Sequence, residues 1–224
     1  MSGLGETRAD LTRQAILDAA AHQFARRSFT DVNMDDIVSD TNVSKGALYF
    51  HFQSKQSLAL AIIEHHAAAV RAKTMELLTH QLSGLETLIE ITFTVAVLDG
   101  CDEYARASVS LGEAVRGSGG LNRGLVDEWV KGSTTVLEQA MADGDVRGDV
   151  DAEALAHVLI GHYVGMRQIS DLDDATAFIG NVENSWRATL PGFANPDRIG
   201  YLTQFIERRA AIAIRSMAAR SCVH

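Results

Sequence analysis

Two cysteines and two prolines are all that this 224-residue chain holds of either residue. Cys101 and Cys222 stand far apart and match no ligand spacing such as Cys-x-x-Cys, so neither a disulfide nor a zinc site is expected. With so little proline, helical periodicities run on without interruption. A basic excess is also missing: 20 Lys and Arg against 29 Asp and Glu leave a net charge of −9, unlike the basic footprint of most nucleic-acid binders. The longest apolar region, residues 89–98, is broken by threonines and too short to span a bilayer. No cationic start leads into an apolar stretch, so no signal peptide is read. A soluble cytoplasmic protein with no membrane partner is expected.

Catalytic motifs are absent too. Neither Gly-x-Ser-x-Gly nor His-Glu-x-x-His occurs, and the glycine-rich stretch at 117–124 lacks both dinucleotide spacing and a Walker lysine. It reads as an interhelical loop. His65 and His66 are adjacent and point to different faces, and His157 and His162 lie five apart rather than four. No enzyme activity, cofactor or metal is expected.

What is present is helix. Apolar residues make up 46% of the chain and recur at helical spacing, which predicts an all-α protein. Helices are expected at 11–27, 55–82, 85–98, 103–115, 125–142, 152–170, 175–189 and from 196 to near 220, after a polar, mobile lead of ten residues. Asp151 and Asn195 are placed to cap two of these. The expected division is a small head at 1–53, carrying the short helical patterns described next, and a larger helical domain at 54–224.

Between 33 and 58 lies the most specific signal. Two short helical patterns flank the break Thr41-Asn42-Val43. Asn33 and Ser44 are placed to cap them, Ser54 starts the long helix that follows, and Asn42 can take the left-handed conformation of a sharp turn. Ile37, Val43 and Leu48 face inward, while Lys45, Gly46, Tyr49 and His51 remain outside. Such a helix can enter a major groove N-terminus first. Candidates for DNA contact are Thr30, Asn33, Ser44, Lys45, Gly46, Tyr49, His51 and Lys55. Because acidic residues outnumber basic ones even here, any positive footprint is local, formed by Lys45, Lys55 and the flexible Arg8 and Arg13. Leu48 and Phe52 read as packing residues, and packing is also an alternative for Tyr49 and Phe50.

This segment closely resembles the DNA-binding region of the TetR family of bacterial repressors. Ile37, Val43, Ser44, Gly46, Leu48, Tyr49, Phe52, Lys55 and Leu58 match in order and spacing without a gap. The match extends upstream through Ile16, Leu17, Ala19, Ala20 and Phe24. Where the family usually has Ala-Gly, this chain has Thr41-Asn42. The rest resembles the γ-butyrolactone receptor-like branch of actinomycetes, through Trp129, the turn ending in Asp149-Val150-Asp151, the stretch 165–170, and Trp186 with 190–196. In that branch a tryptophan at the position of Trp129 lies against the bound autoregulator. The branch commonly has Val-Gln where this chain has Met166-Arg167-Gln168.

The resemblance implies a homodimeric repressor of a palindromic operator, released by a small-molecule effector. Phe93, Val97, Val126, Trp129 and Tyr163 are candidates for pocket walls, with Arg167 and Gln168 as orienting polar groups. Leu155 and Leu159, with Leu202, Phe205, Ala213 and Met217 of the last helix, form stripes that could face a partner chain. Intramolecular core is the alternative for each stripe. Two other functions remain: a small-molecule carrier or enzyme with a vestigial head, against which the intact head residues speak, and a DNA-organising protein, against which the acidic balance speaks.

Overall fold

The computed structural model describes residues 7–115 and 121–221. They form α1 (Arg8–Arg26), α2 (Met34–Ser39), α3 (Lys45–His51), α4 (Lys55–Leu77), α5 (Gly84–Cys101), α6 (Glu103–Ala114), α7 (Leu121–Ala142), α8 (Ala152–Ile169), α9 (Ala175–Thr189) and α10 (Pro196–Ser221), with a 3-10 turn at Leu190–Gly192. Among the described residues the only extended pairing is one antiparallel bridge, Val146 with Ala194. No described helix is long and apolar enough to cross a membrane. Cys222 and residues 117–120 of the expected loop at 117–124 lie outside the described residues, and Leu121 already begins α7.

Two compact units form: Met1–Ala68 with Asp102–Leu121, and Ala69–Cys101 with Asn122–His224. They do not follow the division expected after residue 53. The first unit keeps the start of α4 and takes in α6, because α6 packs along α1. The Tyr104 hydroxyl donates to Asp18 Oδ1 at 2.5 Å, Gln14 Nε2 donates to Tyr104 at 2.9 Å, and Arg26 pairs with Glu103 at 2.7 Å. These partners are far apart in sequence, so periodicity could not join them.

The core of the first unit includes Ile16, Leu17, Ala20, Ala21 and Phe24 of α1 together with Ile37, Leu48, Leu58 and Ile62, all fully buried. Each large apolar side chain buried this way contributes roughly 1.5–3 kcal/mol. α1 starts earlier than expected. Thr7 Oγ1 accepts from the Asp10 amide at 3.2 Å, and Asp10 Oδ2 accepts from the Thr7 amide at 3.1 Å, a reciprocal capping box. Arg8 is thereby fixed in a helical first turn, and Arg13 lies over the Phe52 ring at 5.2 Å; neither is the flexible cation expected.

In the second unit α10 packs on α5 and α9. Phe93, Leu137, Phe178, Val182, Trp186 and Ile206 belong to one buried cluster. At the start of α5 the chain comes so close to α7 that a Cβ on Gly84 would lie 2.4 Å from the Ala140 amide nitrogen, so only glycine fits. The Gly84 amide donates to Asp143 Oδ2 at 2.7 Å. After α7 the chain turns at Gly144, whose φ of 79° favours glycine. Asp151 caps α8 as expected, accepting from the Ala154 amide at 2.9 Å. Asn195, just before α10, donates from its side-chain amide nitrogen to the Gly144 and Val146 carbonyls.

The apolar stripes expected at a partner interface lie in or against the chain's own core. Leu202, Ala213 and Met217 are buried in the chain's own core, and Leu155, Leu159 and Phe205 pack partly buried against it. The physical reason is the ordinary one for an amphipathic helix: its apolar stripe is satisfied within its own fold first.

Candidate nucleic-acid interface and effector site

α2 and α3 form a helix-turn-helix whose inner side is closed by buried Ile37 and Leu48 and by partly buried Val43. Ser44 caps α3, its Oγ accepting from the Ala47 amide at 3.2 Å. Ser54 likewise caps α4, accepting from the Ser57 amide at 3.0 Å. Asn33 stands at the N-cap of α2, as expected. The Asn33 amide donates to Asp36 Oδ2 at 3.0 Å, and this bond, with help from Arg27, holds the Asp36 carboxyl below its ordinary range.

The turn between the helices needs no left-handed residue: no described non-glycine residue has a positive φ. The conformation expected of Asn42 is therefore corrected, and Thr41 carries the turn. Its hydroxyl donates to the Val38 carbonyl at 3.1 Å and accepts from the Val43 amide at 3.3 Å. A side chain that bonds its neighbouring backbone can replace the glycine of a tighter turn.

The outer side of α3 presents Lys45, Gly46 and Tyr49, all exposed. Phe50 joins them at 80% exposure, so the packing alternative does not hold for it. The signal was in the sequence, since Leu48 and Phe52 lie four apart and face inward, which turns Phe50 to the opposite side. His51 is partly buried at the helix end, edge-on to Phe50 with ring centroids 5.2 Å apart. Thr30 and Asn33 are exposed beside the head, with the Thr30 hydroxyl 2.8 Å from that of Ser28. Nothing crowds Gly46: an added Cβ would meet only Ser44 Oγ, at 4.0 Å.

The cations of this face are engaged. Lys45 Nζ lies 2.6 Å from Asp35 Oδ1, and that bond raises the Lys45 pKa above its usual value. Arg27 pairs with Asp36 at 3.2 Å. Lys55, expected as part of the local positive footprint, turns inward. Its ammonium donates to the Phe29 carbonyl at 2.6 Å and the Val32 carbonyl at 2.9 Å, above the Phe29 ring at 4.5 Å. Two of its three donors thus hold the loop between α1 and α2.

In the second unit, α8 brings Tyr163 and Arg167, one turn apart, onto Asp99 of α5. Tyr163 donates to Asp99 Oδ2 at 2.6 Å, and Arg167 Nε lies 2.9 Å from the same oxygen. Asp99 is fully buried, and burial first, then the Asp99 carboxylate, pushes the Tyr163 phenol well above its ordinary range. Of the other expected wall residues, Phe93 and Val97 are in the buried core and Val126 packs against it. Trp129 is partly buried, whereas Gln168 is exposed and does not join the others. Sequence reasoning missed Asp99, which lies in an otherwise apolar helix and matches no motif.

The chain matches the family of bacterial regulatory proteins called tetR over residues 16–62, and the tetracyclin repressor-like C-terminal domain over residues 82–193. It is 29% identical over 199 residues to the A-factor receptor protein of Streptomyces griseus, covering 88% of this chain and 69% of that one. The crystal structure of a gamma-butyrolactone receptor, an ArpA-like protein, superposes with a TM-score of 0.76 at 30% identity, covering 92% of this chain and 99% of the other. CprB from Streptomyces coelicolor, in complex with its biological operator sequence, gives a TM-score of 0.75 at 30% identity, with 90% and 98% covered. Helix-turn-helix geometry, the all-helical second unit and these relatives agree: the chain belongs to the tetR family of bacterial regulatory proteins and is a DNA-binding transcriptional regulator.

Proposed function

We propose that this protein is a homodimeric repressor that holds a palindromic operator and is released from it by a small molecule of the γ-butyrolactone kind. The observation that carries the DNA-reading part is the outer face of α3, where Lys45, Gly46, Tyr49 and Phe50 stand exposed on a helix whose other side is locked into the core. Glycine in its first turn lets backbone approach a duplex closely, a cation can reach guanine acceptors, and an aromatic ring can cover a thymine methyl. The acidic chain and the paired state of Lys45 and Arg27 make non-specific attraction to phosphate weak. The effector class rests on the A-factor and gamma-butyrolactone receptors among its relatives and on Trp129.

A palindrome requires two heads about one DNA turn (~34 Å) apart, related by two-fold symmetry. Beside the partly buried Leu155, Leu159 and Phe205, the side of α8 turned to solvent supports this role. There Val158, Val164 and Ile169 are exposed at 49, 41 and 87%, and no heavy atom lies within 4 Å of a Cβ built on Gly161 or Gly165. Small residues between apolar ones let a second helix come close. The test is selection of duplexes from a random pool by the full chain, followed by sedimentation of the complex. Two chains on a palindromic duplex, dissociated by a synthetic γ-butyrolactone, are expected. A single chain per duplex would refute the dimer, and a complex indifferent to every lactone tried would refute the effector class.

A further inference from the structure

From the Lys45–Asp35 pair we infer that these two side chains together read one G·C base pair in each half-site, with Asp35 as a specificity residue; this rests on the DNA-reading function proposed above. Asp35 stands in the first turn of α2 and Lys45 in the first turn of α3, so the pair bridges both helices of the motif. Their charged atoms lie 2.6 Å apart. Both side chains are open to solvent, Lys45 at 58% and Asp35 at 67%, and no described side chain covers them.

In the major groove a G·C pair offers the guanine O6 and N7 acceptors beside the cytosine N4 donor. O6 and N4 of one pair are hydrogen-bonded, so they lie about 2.9 Å apart, close to the separation of the protein atoms. An ammonium that donates to O6 and a carboxylate that accepts from N4 therefore match that edge atom for atom. An A·T pair presents the reverse at the same place, a donor on adenine and an acceptor on thymine. In that register the carboxylate faces a carbonyl oxygen. The flipped T·A pair keeps the acceptor–donor order but sets the thymine methyl where guanine offers N7, the second acceptor within reach of the ammonium.

Electrostatics point the same way. Lys45 alone would be drawn to any phosphate. Paired with Asp35 it carries no net charge, so it adds nothing to non-specific binding while keeping its power to discriminate. An exposed pair of this kind is worth little by itself, so exchange of its partner for base atoms is easily offset. Asp36 next to it is not part of the reader, being bound to the Asn33 amide and Arg27.

The experiment compares the wild-type full chain with Asp35→Asn, Asp35→Ala and Lys45→Met, using duplexes selected by the wild type from a random pool. Each binding curve is then measured at several salt concentrations, with circular dichroism to confirm folding. The wild type is expected to require one G·C pair per half-site, and its exchange for A·T should weaken binding by about 5- to 150-fold. In both Asp35 variants that preference should shrink by about fivefold or more, most in Asp35→Ala, while preferences at other positions stay. Their affinity for random DNA should rise, and the logarithmic salt slope should steepen by about one. Lys45→Met should lose the same base pair without that steepening. If the wild type selects a site and the Asp35 variants keep every preference and the same slope, the inference is overturned and DNA reading stands. If the wild type selects no sequence, DNA reading falls and the inference with it.

Discussion

At the scale of single residues, Phe50 shows how much a side chain's direction matters. An aromatic residue on a short helix is usually read as core, and Phe52 two positions away is core, at 4% exposure. Phe50 is turned out by geometry alone, and no fold-stabilising role explains a solvated ring. Phe50→Ala is expected to cost about 1.5–3 kcal/mol of operator affinity if the ring covers a thymine methyl. The melting temperature should stay unchanged because little is lost from the core. Titration of operator DNA beside a thermal melt checks both, and a drop in melting temperature with intact affinity would assign Phe50 to packing. Gly46 makes a matching case. The open space beside it tolerates a larger side chain, so Gly46→Leu should fold as well as the wild type or better by about 0.5–1 kcal/mol. It should nevertheless fail to shift operator DNA in a gel, since the helix backbone can no longer approach the groove.

Elements were more legible than the links between them. The helix-turn-helix, the caps Ser44, Ser54 and Asp151, and the long helices followed from periodicity and from residues whose side chains bond their own backbone. Those are local effects, and local effects are written in adjacent residues. The partner of each apolar stripe is not local. Leu202, Ala213 and Met217 could have faced a second chain or this one, and only packing against α5 decided it. The grip of α6 on α1 was hidden for the same reason, as was the convergence of Tyr163 and Arg167 on Asp99.

That buried cluster gives a prediction for α8. Asp99→Ala leaves the Arg167 guanidinium without its buried counter-charge, and removing one partner of such a pair costs about 3–5 kcal/mol. Chemical denaturation of the variant should show the loss, and a shift under about 1 kcal/mol would mean that water already relieves Arg167. α2 responds to pH. The Asp36 carboxyl is held below its ordinary value by the Asn33 amide, so its contribution is present above the ordinary carboxylate pKa of about 3.9 and is lost as pH falls through the lower folded value. Melting curves from pH 6 downward should fall less steeply for Asp36→Asn than for the wild type. Parallel curves would remove Asp36 from the acid response.

For the whole molecule, the question is how one chain holds DNA and lets it go. The boundary between the compact units falls inside α4, after Ala68, so one continuous helix carries residues of both. Any coupling between effector and operator must be reciprocal, typically about 1–3 kcal/mol. Trp129→Ala is therefore expected to keep operator affinity and lose release by lactone, and operator DNA should weaken lactone binding by the factor by which lactone weakens operator binding. Sites at which Val158→Glu or Gly161→Arg converts dimers to monomers would place the partner on the solvent side of α8.

The central claim, that this acidic chain reads a specific DNA sequence through α3, is tested most directly by fluorescence anisotropy of the full-length protein on labelled DNA flanking its own coding region. Random duplex serves as competitor, and each titration is repeated with Gly46→Leu. The account predicts a site bound at about 10⁻⁸–10⁻¹¹ M and at least about a thousandfold more tightly than random DNA, with all specific binding lost in the variant. Equal affinity for flanking and random DNA, or a Gly46→Leu protein that binds like the wild type, would contradict it.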